Sequence, residues 1–82
     1  MIIHVFGNRW DQCEELATKV AQAALELDVP VNIEKHDDLE DLFRFGTGIM
    51  PAVAIDGSIR CSGRIPSVDE LKRFLARERC VA

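Results

Sequence analysis

A chain of 82 residues has room for one hydrophobic core, so a single domain over 1–82 with one site region is expected. Apolar residues at 48% and charged residues at 29% form a globular balance, which excludes a disordered or low-complexity chain. A net charge of -4 without a Lys/Arg cluster argues against nucleic acid and anionic membrane surfaces, since both require concentrated positive charge.

Met1 to Phe6 is a β-branched and aromatic run that stops at Gly7-Asn8, as a strand entering a turn does. From Asp11 the apolar residues Leu16, Val20, Ala23, Ala24 and Leu27 recur at spacings of three and four, behind Asp11, Glu14 and Glu15, which predicts a helix. After Val29-Pro30, Val31 and Ile33 alternate with Asn32 and Glu34 as a short second strand. Asp37 and Asp38 can cap a short helix that turns Leu39, Leu42 and Phe43 inward and ends at Gly46 and Gly48. Ala52–Ile55 and Ile59–Ser62 flank Asp56-Gly57, a strong signal for an antiparallel hairpin. Ser67-Val68-Asp69-Glu70 is a capping box in which Glu70 reaches back to the serine, and Val68, Leu71, Phe74 and Leu75 form the apolar face of the last helix.

The order βαβαββα predicts a four-stranded mixed sheet with helices on both faces. A right-handed first crossover puts the start of the first helix at the carboxyl end of the first strand, where open α/β sheets place their ligands. The turn from Gly7 to Cys13 is therefore the expected site. No run of residues is apolar and long enough to cross a bilayer and the N-terminus carries no secretory pattern, so a cytoplasmic location is expected. Cys13, Cys61 and Cys80 are odd in number and widely spaced, which fits free thiols rather than a disulfide framework or a zinc knuckle. His4 and His36 stand far apart in sequence with no third ligand in view, so structural roles are expected and no metal is assigned.

Three stretches, IIHVFGNRWDQC, GTGIMPAVAIDGSI and GRIPSVDELKRFL, resemble in their order the thioredoxin superfamily, in particular its very small glutaredoxin-like members called redox-active disulfide proteins. The resemblance implies a thioredoxin-like α/β fold. In that family the first turn reads glycine, two residues, cysteine, two residues, cysteine, and the first cysteine is the nucleophile because the helix N-terminus favours its thiolate. Here Gly7 matches the glycine, Trp10 occupies the nucleophile position and Cys13 matches the resolving cysteine. An indole forms no thiolate, so dithiol exchange between positions 10 and 13 is not expected.

The resemblance also implies that Met50-Pro51 is a cis-proline pair facing the first turn, with the Met50 backbone open to an extended peptide or to glutathione, and with Gly63 beside the same groove. Cys13 is either a sheltered thiol or, if it faces solvent, a reactive one. Cys61 is either a packed strand residue or, at the level of Pro51, a relocated disulfide partner for Cys13. Cys80 reads as a tail thiol. Trp10 is a packing lid over the turn or an exposed anchor for a partner. Arg9 and Arg64 either receive an anionic ligand such as a glutathione carboxylate or are solvated surface.

Two functions at the groove remain open at this point. One is a degenerate module that binds a peptide, a protein or glutathione in the groove of Trp10, Met50, Pro51, Gly63 and Arg9. The other is a thiol-disulfide oxidoreductase working through Cys13 alone or with Cys61. A third class, a structural or assembly protein, would use the exposed edge of the second or fourth strand to pair with another copy or a partner, and either a monomer or a homodimer is compatible with the sequence.

Overall fold

The computed structural model describes residues 1–46 and 48–80. The chain forms β1 (Ile2–Phe6), α1 (Trp10–Leu27), β2 (Asn32–His36), α2 (Leu39–Arg44), β3 (Ala52–Ile55), β4 (Ser58–Ser62) and α3 (Val68–Cys80). The sheet order is β2-β1-β3-β4, with β1 parallel to β2 and antiparallel to β3, and β3 antiparallel to β4. This is the four-stranded mixed sheet expected from the element order, in the thioredoxin-like arrangement that the resemblance implied.

Strand alternation divides the core between two faces. Ile3 and Val5 of β1, Val53 and Ile55 of β3 and Cys61 of β4 pack with Leu16, Val20, Ala23 and Ala24 of α1 and Leu71 and Leu75 of α3. Phe6, Ala52 and Ala54 point the other way and pack with Leu42 of α2. The central strands bury both faces, so Ala52–Ile55 is an unbroken apolar run. At the β3–β4 turn, Asp56 and Gly57 both have positive φ (48° and 93°), the two-residue geometry that Asp-Gly favours.

Three local expectations change. Leu39 and Phe43 are exposed, not inward; a helix of six residues offers the sheet little more than one side chain, and Leu42 takes that place while Phe45 packs beside it. Ser67 Oγ accepts from the Glu70 amide at 3.2 Å as a cap should, but the Glu70 carboxylate binds the Arg64 guanidinium at 3.0 and 2.6 Å instead of reaching back. The second strand runs to His36, further than the alternation of Val31 and Ile33 suggested, because it pairs along the full length of β1 from Ile2↔Asn32 to Phe6↔His36.

Candidate functional site

The turn after β1 and the turn before β3 build the site. Gly7 is buried and donates its amide to the His36 carbonyl at 3.1 Å, which ties the end of β1 to the end of β2. A Cβ at Gly7 would lie 2.9 Å from Gln12 Cβ and 3.2 Å from Cys13 Sγ, so only glycine lets the first turn of α1 come this close. Trp10 and Cys13 are three residues apart in that turn. The readings of Trp10 as lid or anchor, and of Cys80 as a tail thiol, concern side chains outside the described residues.

Cys13 is fully buried. Its Sγ donates to the His36 carbonyl at 3.4 Å and approaches the Gly7 carbonyl at 3.9 Å. Burial pushes the thiol above its ordinary value and the charge of Asp37 adds to this, while the Gly7 hydrogen bond and Lys35 act the other way. The N-terminus of α1 therefore does not turn Cys13 into an exposed thiolate; desolvation outweighs the dipole.

Cys61 is also a free thiol. The hairpin register pairs Ala52 with Ser62 and Val53 with Cys61, and Gly63 bonds to Pro51, so Cys61 stands two residues along β3 from Pro51 rather than at its level and turns its side chain into the core between the sheet and the α1–α3 layer. Its Sγ contacts the Arg64 carbonyl at 3.6 Å. Cys13 packs against the ends of β1 and β2, whereas Cys61 lies on β4 with β3 between, roughly 10 Å from β1 at two strand spacings.

Met50-Pro51 is a cis peptide bond. The Pro51 carbonyl accepts from the Gly63 amide at 2.8 Å, and the Ile49 carbonyl accepts from Ser62 Oγ at 2.8 Å. Among the described residues the backbone of Met50 makes no hydrogen bond, although its side chain packs against the Phe6–Leu42 cluster. Ile49 is 60% exposed and touches the space a Gly63 side chain would need, while Phe43, 59% exposed, closes over Gly48. Two exposed apolar side chains, Ile49 beside Met50 in the chain and Phe43 against Gly48, thus lie near this backbone.

The two candidate anion-binding arginines are engaged elsewhere. Arg9 pairs with Asp11 at 3.4 Å and Arg64 with Glu70. Residues that sequence reasoning separated are brought together on the other side of β1: His4 and His36 lie within hydrogen-bond distance, because parallel β1 and β2 place His4 beside Glu34 and Phe6 beside His36. No pattern local to either strand gives this register. Among the described residues no group of three or more His, Cys, Asp or Glu side chains is arranged to hold a metal, and no helix is long and apolar enough to cross a membrane.

Residues 1–76 match the thioredoxin domain family. The chain is 28% identical over 76 residues to a thioredoxin of Methanothermobacter thermautotrophicus, covering 93% of this chain and 99% of that protein. It is 32% identical over 75 residues to a thioredoxin of Methanocaldococcus jannaschii, covering 92% of this chain and 86% of that one.

Proposed function

Because this chain belongs to the thioredoxin domain family, we propose that it is a degenerate member which binds an extended peptide segment of a thiol- or disulfide-bearing protein in the groove beside Pro51 and does not turn over disulfides. Family membership supports a thiol-disulfide type of function. The binding half of the proposal rests on Met50, whose backbone donor and acceptor are unpaired among the described residues next to exposed Ile49, the arrangement that an incoming extended strand would complete. The non-catalytic half is supported by Trp10 at the nucleophile position and by the burial of Cys13.

A peptide is favoured over glutathione because Arg9 and Arg64 are already neutralised by Asp11 and Glu70. In addition, Asp37, Asp38 and Glu40 are exposed around the start of α2 without a cationic partner among the described residues, which disfavours a small anion. The module is proposed to work in the cytoplasm, where Cys13 and Cys61 remain thiols.

Amide-detected NMR with an extended apolar peptide, run beside an insulin-reduction assay, tests both halves. The expected result is saturable shifts at Ile49, Met50 and Gly63 with no reduction above background. Reduction that disappears in Cys13→Ser would establish instead a thiol enzyme working through Cys13.

A further inference from the structure

On the face of the sheet opposite α1, His4 and His36 form a pair that the groove does not use. His4 Nδ1 lies 3.1 Å from His36 Nε2, His36 Nδ1 lies 3.3 Å from Asp41 Oδ2, and His4 Nδ1 lies 3.5 Å from Glu34 Oε2. The His36 ring stacks on Phe6 with centroids 4.8 Å apart, and the His4 ring meets Phe45 at 4.8 Å. The two side chains are only 15% and 20% exposed.

Counting ring protons decides what this pair accepts. A contact between two ring nitrogens requires one to carry hydrogen and the other a lone pair. With both rings neutral, His36 Nδ1–H donates to Asp41 and His4 Nδ1–H donates to His36 Nε2. With one added proton, the His36 imidazolium donates to Asp41 and to His4 Nδ1, and His4 keeps its proton on Nε2. With two added protons, two N–H groups and two positive charges face each other across 3.1 Å, and the contact has no acceptor.

We propose that the His4–His36 pair takes up one proton but not a second while closed, and that the second proton opens it, turning His4 toward Glu34 and solvent and loosening the Phe45 end of α2. Phe45 and Met50 pack against the same Phe6–Leu42 cluster, so acid would reshape the flank of the groove. The groups around the pair are Glu34 and His36 on β2, Asp41 on α2 with Arg44 at 3.6 Å from its other oxygen, and Asp37 and Asp38 ahead of α2. Lys35 is turned to the opposite face and paired with Glu14, and β3 offers only Ala52 and Ala54.

Imidazole 15N NMR of the unmodified protein from neutral to mildly acidic pH is the test, with amide exchange at Phe45 and the amide shift of Met50 followed in parallel. The expected result is two protonation steps separated by more than about tenfold in proton concentration. Exchange at the Phe45 amide, which donates to the Leu42 carbonyl, should rise relative to its intrinsic rate at each pH, and the Met50 amide shift should move, with the second step and not with the first. In His4→Gln, whose amide oxygen still accepts from His36, the second step and its effect on Phe45 and Met50 should vanish. A single shared step in the unmodified protein, or two steps with no response at Phe45 and Met50, overturns the proposal even if His4→Gln does not fold.

Discussion

The Cys13 thiol and the His36 carbonyl lie 3.4 Å apart, joining the first turn of α1 to the last residue of β2 across the end of β1. The same carbonyl accepts from the Gly7 amide, so one oxygen closes the turn and holds the sulfur in its buried place. The thiol proton is thereby part of the folded structure. Cys13 is expected to resist alkylation at neutral pH in the native protein and to label after unfolding, as read by mass spectrometry.

The raised proton affinity of folded Cys13 has a consequence for stability. Folded and unfolded chains both carry this proton below the ordinary thiol value of about 8.5, and above it the unfolded chain loses the proton first. Stability therefore declines as pH rises through the alkaline range. Urea titrations from pH 7 to pH 10 should show this decline, and Cys13→Ser should flatten it.

Gly7→Ala introduces a Cβ within 2.9 Å of Gln12 Cβ and 3.2 Å of the Cys13 amide nitrogen, both on a packed helix turn. Separation requires moving α1 off β1, and a cost of about 1–3 kcal/mol is expected for such overpacking. A lowered urea midpoint together with increased labelling of Cys13 would identify the lost fit as the cause.

Trp10→Cys places two cysteines three residues apart at the start of α1. The new thiol, at the first residue of the helix, gains the stabilisation of a helix N-terminus that buried Cys13 lacks. Insulin reduction should rise above the level of the unmodified protein, and Trp10→Ser, which adds no thiol, should leave it unchanged.

Gly63→Ala meets two obstacles. Its φ of 89° is unfavourable for any residue with a Cβ, and that Cβ would lie 3.2 Å from Ile49 Cγ2. About 1–2 kcal/mol of stability is expected to be lost to the backbone alone. Because Ile49 is pushed away from the groove, peptide affinity measured by calorimetry should fall even at temperatures where the variant is fully folded.

Leu42→Ala removes the one fully buried side chain of α2, a helix too short to persist without packing. A loss of about 2–5 kcal/mol is expected. Hydrogen exchange should show α2 amides opening before those of β1 and β3.

The element order, the hairpin at Asp56-Gly57 and the core stripes of α1 and α3 were legible because each depends on neighbours along the chain: turn chemistry over two residues, or apolar spacing over three and four. The thioredoxin-like fold followed from that order and from the three motifs. The inward face of α2 was misjudged at Leu39 and Phe43, since six residues carry too little periodicity to show which side chain meets the sheet. The Glu70 cap was half right because Arg64, six residues upstream, competes for the same carboxylate.

By itself, the sequence determined which groups exist: a tryptophan and a cysteine three residues apart at the start of a helix, two further cysteines, and glycines at the close turns. Where those groups face was decided by the tertiary structure, through contacts between residues distant in the chain. Burial against β1 and β2 turned Cys13 into a quiet thiol. Parallel pairing of those same strands brought His4 and His36 to 3.1 Å across 32 positions of sequence, a register that no local pattern encodes.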